Sequence, residues 1–336
     1  MWDNILGHTR QKEFLERYLA AQERPHALLF VGAEGLGKKQ LALAFAKALL
    51  CASHTGSDHC EACRLMNLED GNLSHPDFLL VQREQDEKTG RYKDISKEQV
   101  ADLISKSAFA PVMSTTKVCI IEDVDRMSLV AANSFLKLLE EPPVGWVMVL
   151  LATDENKLLS TIMSRVVCLR FKPVPTEQVV ALLKQRGVEP MQAAVLARIS
   201  EGSVGTALSL AEQNVLELRQ QAVAFLEALP LNMPLNYLAG RAWQQKNFER
   251  PEALLLVKML QLFVRDLIMC KLSLEDKIYN CDLQGELAAA AKNWQLGALK
   301  KALQYIQEAY AALENSVGVR LVLESMALKI DQAYKE

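Results

Sequence analysis

The chain lacks any uninterrupted apolar stretch of the ~18 residues that a membrane-spanning helix requires. Its richest apolar segment, 254–269, is broken by Lys258, Gln261, Arg265 and Asp266, so no membrane association is expected. The N-terminus lacks a basic region followed by an apolar one, and no signal peptide is expected. An excess of positive charge is also missing. The formal net charge is −3, which excludes a global field drawing the protein onto nucleic acid and leaves DNA contacts local or made through partners. The cysteine count, seven, is odd, and Cys119 and Cys168 lie in strand-like runs. That argues against a disulfide framework and for reduced thiols in the cytoplasm. Internal repeats and low-complexity segments are absent. What is present, 50% hydrophobic and 24% charged residues over 336 positions, suits a soluble globular protein of two or three domains.

The first part of the chain alternates short apolar runs with longer amphipathic stretches. Runs at 27–31, 78–81, 118–121, 147–152 and 166–171 read as strands, and patterns at 40–50, 96–107 and 129–140 read as helices. Continuous apolar strands separated by helices predict a parallel sheet covered on both faces. After Phe171-Lys172-Pro173-Val174-Pro175 only helical patterns follow, beginning with Thr176. The expected fold class is therefore α/β plus all-α. Its expected parts are a nucleotide-binding domain over 1–172 with a cysteine insertion near 51–66, a helical lid over 173–215, and a helical domain over 216–336.

Gly32-Ala33-Glu34-Gly35-Leu36-Gly37-Lys38-Lys39 follows a strand and opens a helix, the context that a phosphate-binding Walker A loop requires. Gly32, Gly35 and Gly37 let backbone N–H groups turn inward around phosphates, and Lys38 is placed to reach the β- and γ-phosphates. Lys39 occupies the slot where a Ser or Thr hydroxyl ligates Mg²⁺. Glu122 and Asp123 end the apolar run at 118–121 as a Walker B pair should, but in inverted order. The expectation is a degenerate nucleotide site that either still binds ATP or is a glycine turn without a ligand, and that in neither case hydrolyses efficiently.

The helix at 131–141 is stopped by Pro142 and Pro143, which force Glu141 out of helical geometry. Its pattern, Asn133 through Leu136-Lys137, Leu139-Glu140-Glu141 and Pro142-Pro143, resembles the signature of bacterial DNA polymerase III clamp-loader subunits, members of the AAA+ group. Thr153 after Leu151-Ala152 falls in that family's sensor-1 place. Thr161-Ile162-Met163-Ser164-Arg165-Val166 resembles its Ser-Arg-Cys motif, with Val166 in place of the cysteine. The opening Trp2 to Gly7 and Arg24-Pro25-His26-Ala27 match as well. The resemblance spans nearly the whole chain, strongly through residue 172 and weakly after 215.

Residue type alone reads Arg165 as a strand cap or the partner of a surface acid. The resemblance implies instead that Arg165, with Ser164, is an arginine finger in trans at a neighbouring subunit's ATP. It further implies a ring with delta and gamma/tau subunits that loads a sliding clamp on primed DNA within the polymerase III holoenzyme, the 216–336 helices forming an oligomer collar. Within the family, Lys39 and the His75-Pro76-Asp77 run after a cysteine cluster resemble the delta-prime branch. So does Thr206, where active ATPases commonly carry a sensor-2 arginine. The gamma/tau motor branch, with Lys38, Glu122 and Asp123 catalytic, is the alternative. The resemblance also implies Zn²⁺ on Cys51, Cys60 and Cys63; Met66 stands in the place of a fourth cysteine, leaving His54 or His59 as candidates. A small-molecule kinase fits the helical second half poorly, and the acids Glu69 and Asp70 discourage a DNA-binding finger.

Overall fold

Every apolar run read as a strand forms one. The computed structural model describes residues 2, 5–57, 60–68, 71–86, 92–213, 215–230, 248–315 and 317–335. The strands are β1 (Ala27–Val31), β2 (Met66–Asn67), β3 (Asn72–Leu73), β4 (Phe78–Val81), β5 (Lys117–Ile121), β6 (Trp146–Ala152) and β7 (Val167–Arg170). Five of them build a parallel sheet in the order β4-β5-β6-β1-β7, and β2 and β3 form a small antiparallel pair. The helices are α1 (Thr9–Ala20), α2 (Lys38–Leu50), α3 (Glu61–Leu65), α4 (Lys97–Ser107), α5 (Leu129–Glu140), α6 (Ser160–Met163), α7 (Thr176–Gln185), α8 (Pro190–Ile199), α9 (Val204–Glu212), α10 (Val215–Glu227), α11 (Arg250–Lys271), α12 (Gln284–Lys292), α13 (Leu296–Glu314) and α14 (Val319–Lys335). Among the described residues no helix is long and apolar enough to cross a membrane.

Contacts divide the chain into two compact units, Met1–Gln178 with Gly202–Thr206, and Val179–Glu201 with Ala207–Glu336. In the first, the period-2 alternation of a strand sorts side chains between two cores. Leu28 and Phe30 of β1, with Val118, Ile120 and Val149, pack on Leu15 of α1 and Phe45 of α2. Ala27, Leu29 and Val31, with Cys119, Ile121 and Leu150, pack on Leu103 of α4 and Phe135 of α5. Helix α5 starts where the Ser128 side chain accepts from the Ala131 N–H, and ends where Glu141 leaves helical geometry at φ −126 and ψ 67 before Pro142. Helix α1 is not signalled by a capping residue: His8 at its N-cap is left-handed and makes no side-chain cap bond.

The second unit is helical throughout its described residues. Helix α11 packs against α10, α12, α13 and α14, and α11 buries Leu256, Leu260, Phe263 and Leu267. A buried carboxylate, Asp266, accepts from the N–H groups of Tyr279 and Asn280 and from Arg265.

The His75-Pro76-Asp77 run proves structural. His75 is buried, and its Nδ1 accepts from the Asp77 N–H at 3.1 Å. Burial lowers the His75 pKa below its ordinary 6.5, against the pull of Asp77. A histidine neutral in the folded state contributes stability that is complete above its unfolded pKa and is lost as pH falls toward the folded value. His8, also lowered chiefly by burial, acts in the same direction. The first unit's melting temperature is therefore expected to fall on acidification from about pH 7 to about 5.5. His75→Gln should flatten that slope in melts followed by circular dichroism.

Candidate functional site

The expected nucleotide residues gather at one edge of the sheet, beyond the C-terminal ends of parallel strands, where ligands bind in such sheets. The loop 32–37 follows β1, Glu122 and Asp123 follow β5, and Thr153 follows β6. Gly35 and Gly37 hold φ values of 73° and 87°, which side chains other than glycine rarely adopt. At Gly35 a Cβ would also stand 2.2 Å from the Ser203 hydroxyl.

Successive loop carbonyls each have a hydrogen-bond partner. The Lys38 ammonium donates to Gly32 O at 2.6 Å and Ala33 O at 2.8 Å. The Ser203 hydroxyl donates to Glu34 O at 3.1 Å, and the Gly205 N–H to Gly35 O at 2.8 Å. A His8 ring nitrogen lies 2.7 Å from Leu36 O. The loop backbone is thus held by partners on several sides, and the Lys38 ammonium rests on its first two carbonyls. Lys38 is buried, and desolvation lowers its pKa while Asp125, Glu34 and Asp123 pull the other way.

The metal position departs from a working site. Lys39 Nζ lies 2.8 Å from Glu122 Oε1, and Gln82 Nε2 donates to the same oxygen at 2.9 Å. Asp123 is left-handed at φ 51 and lies 3.9 Å from Arg83. Burial raises its pKa; Arg83 opposes this, and Asp125, Glu122 and Glu34 add to it. Mg²⁺ demands near-octahedral oxygen ligation. The hydroxyl that a P-loop offers it is absent here, and the Glu122 carboxylate is paired with an ammonium, so the residues present do not fit the ion.

Thr153, expected as sensor 1, is held by Asp125. The carboxylate oxygen Oδ2 accepts from the Thr153 hydroxyl at 2.6 Å and from the N–H groups of Thr153 and Asp154. Asp125 Oδ1 is buried without a hydrogen-bond partner. Thr206, expected in the sensor-2 place, has its hydroxyl 2.7 Å from that of Ser203. Asp125, Gln82 and His8 were not anticipated; Asp125 alone carried a signal, as a further acid two residues past the Walker B pair.

Arg165 lies at the opposite edge of the sheet. It precedes β7, and β7 runs parallel to β1 with Val167 beside Leu28. Its guanidinium donates to Thr161 O at 2.8 Å, to the Ser164 hydroxyl at 3.0 Å and to Glu140 at 2.8 Å. Glu140 closes α5 at this same edge, and both partners remain partly exposed.

The cysteine insertion brings Cys51, Cys60 and Cys63 together, their sulfurs all within 4.8 Å of one another and those of Cys51 and Cys60 4.0 Å apart. A zinc–sulfur bond of about 2.3 Å places tetrahedral thiolates roughly 3.8 Å apart. Cys60 also caps α3, its sulfur accepting from the Cys63 N–H at 3.4 Å. Three thiols thus fit a zinc ion. Among the described residues no fourth histidine, cysteine or carboxylate joins them. His54 directs Nδ1 to Ala48 O at 3.1 Å, Met66 is packed in the sheet core, and His59 lies outside the described residues.

Comparison with known proteins places the chain in a family. The family described as "DNA polymerase III, delta subunit" matches residues 7–175, and its C-terminal counterpart matches 244–332. The DNA polymerase III subunit delta' of Bacillus subtilis is 29% identical over 310 residues, covering 91% of this chain and 91% of that subunit. The DNA polymerase III subunit tau of Escherichia coli is 32% identical over 264 residues, 75% of this chain but only 39% of tau. In fold, a DNA polymerase III gamma subunit-related protein of Thermotoga maritima superposes with a TM-score of 0.51 at 18% identity, over 96% of this chain and 99% of that one. Matched by both family regions in order along its length, the chain belongs to the DNA polymerase III delta subunit family.

Proposed function

We propose that this chain serves as the delta-prime subunit of a cytoplasmic DNA polymerase III clamp loader, an architectural member of a hetero-oligomeric ring with delta and gamma/tau subunits. In that ring it supplies Arg165, backed by Ser164, to the ATP of an adjacent subunit, and the ring places a sliding clamp on primed DNA. One observation carries this reading: the position of Arg165 relative to its own P-loop. Val167 pairs with Leu28, and the loop begins beyond Val31. At about 3.3 Å per residue, the four residue steps from Leu28 to Gly32 put the start of β7 roughly 13 Å from the loop along the strand direction, and Arg165 precedes that start. An arginine side chain does not span that distance, which supports a role toward another chain's phosphate over one at its own loop.

The chain's own loop retains the groups to hold a nucleotide, Gly32, Gly35, Gly37 and Lys38, while Glu122, Asp123 and Thr153 are engaged by Lys39, Arg83 and Asp125. These engagements favour a site that binds without turnover over the self-sufficient ATPase of a gamma/tau motor. Residues 173–215 and 216–336 then act as lid and collar. Mixing the chain with delta and gamma/tau tests the reading: it should enter a stable complex that loads a clamp onto primed DNA, and a chain that stays free in size-exclusion chromatography would sink it.

Cys51, Cys60 and Cys63 would hold a structural Zn²⁺, whose role is to close the 51–66 insertion. Protein prepared without chelators should carry one zinc per chain by elemental analysis, and Cys60→Ala should lose it. A metal-free native chain would refute the site.

A further inference from the structure

The Lys39–Glu122 contact does more than occupy a vacant slot. In a metal-dependent P-loop, one cation is shared among the loop hydroxyl, the strand-end carboxylate and the phosphates. Here the residue after Lys38 carries its own cation to that carboxylate. Lys39 lies in the first turn of α2 with its ammonium 2.8 Å from Glu122 Oε1, and Gln82, just past the neighbouring strand β4, donates to the same oxygen at 2.9 Å. Glu122 is largely buried, its side chain 19% exposed, while Lys39 is 46% exposed. The ammonium therefore spans from the helix that opens the phosphate cradle to the acid that would otherwise anchor the metal. An ammonium offers three donors in any rotation and needs no octahedral shell, so it can pair with Glu122 and with a phosphate oxygen together. Lys38 supplies a second cation beside it.

Resting on the reading of the P-loop as a nucleotide site, we infer that the Lys39 ammonium substitutes for the magnesium ion, so that this loop takes a nucleoside polyphosphate without a divalent cation. The substitution also accounts for a site that binds without turnover. A fixed ammonium neutralises charge, but it does not ligate and activate a water, and the acid that would orient one is shortened to Asp123.

The experiment is a titration of the full chain with ATP, followed by calorimetry, in excess Mg²⁺ and again in EDTA. The native chain should bind with Kd values agreeing within about twofold in the two buffers. Lys39→Thr restores the hydroxyl and frees Glu122, and should make binding at least about tenfold tighter in Mg²⁺ than in EDTA. Because Lys39 is half-exposed, the substitution should leave the melting temperature near native, a control run in parallel. Tightening of the native chain by Mg²⁺ of tenfold or more would overturn the inference while leaving the nucleotide site standing. So would a Lys39→Thr chain as indifferent to Mg²⁺ as the native one. Binding by Lys39→Thr alone would show that Lys39 closes the loop, again overturning it. No ATP binding by either chain would instead remove the nucleotide site and the inference with it.

Discussion

Arg165→Ala is expected to lower ATP turnover at the neighbouring subunit's site by roughly 10³-fold, the range seen when an arginine finger is removed, while the complex still assembles. The magnitude follows from where the guanidinium acts. Charge developing on a transferring phosphoryl group in a water-excluded site interacts far more strongly with a fixed cation than the same charges do in water. Assembly should survive because Arg165 is partly exposed and its contacts in this chain are few: Thr161, Ser164 and Glu140. The Glu140 pair is the obstacle the finger must clear. Its side chains are 34% and 48% exposed, and pairs of that kind contribute about 0–1 kcal/mol. Releasing it therefore costs at most about a fivefold factor, small beside the finger's effect. Glu140→Gln should then change turnover by no more than that, in contrast to Arg165→Ala. Steady-state ATPase of the reconstituted complex, with clamp and primed DNA present, reads both. Unchanged turnover with Arg165→Ala in an intact complex would remove the trans role and leave Arg165 as the surface ion pair that residue type alone predicts.

The strands and the P-loop were legible because each is local. Apolar runs such as Val118 to Ile121 admit few readings once flanked by helices, and Pro142-Pro143 ends α5 where the backbone rule places its end. The helix α1 escaped because His8, unlike Ser96 or Ser128 elsewhere, offers no capping side chain; only the spacing of Leu15, Tyr18 and Leu19 marked it. Within the site, Lys39 was legible as a missing hydroxyl but not as a partner for Glu122. That pairing joins residues far apart in the chain, through the stacking of α2 on β5, and no spacing encodes it. The Asp125 grip on Thr153 and the Glu140 grip on Arg165 are hidden for the same reason. The three thiols could be grouped from their spacing, yet what faces them depends on a loop path: Met66 turns into the sheet core, and His54 turns to Ala48.

Asp77→Ala is expected to be the most destabilising single change in the first unit outside its apolar cores. Asp77 has no exposure, and its carboxylate accepts three backbone N–H groups: Val112 at 2.6 Å, and Met113 and Ser114 at 2.8 Å each. Burial pushes the carboxyl up, but those N–H groups and His75 together outweigh it and hold the pKa below its ordinary value. A buried donor left unmade costs about 1–3 kcal/mol. Three would sum higher, but Val112 and Met113 are 77% and 43% exposed, so water can reach their amides once the carboxylate is gone. The net loss should be about 3 kcal/mol, which for a unit of this size lowers the melting temperature by roughly 10 °C. Asp77→Asn should lose less. Its single carbonyl oxygen can keep Met113 and Ser114, which share Oδ2, while its NH₂ faces the Val112 N–H and forfeits that bond. The ordering native, Asn, Ala in thermal melts near pH 7 tests the account. Equal melting temperatures for Asn and Ala would show that the ionised carboxylate, rather than the count of N–H bonds it accepts, holds the segment from Val112 to Ser114 against the start of β4.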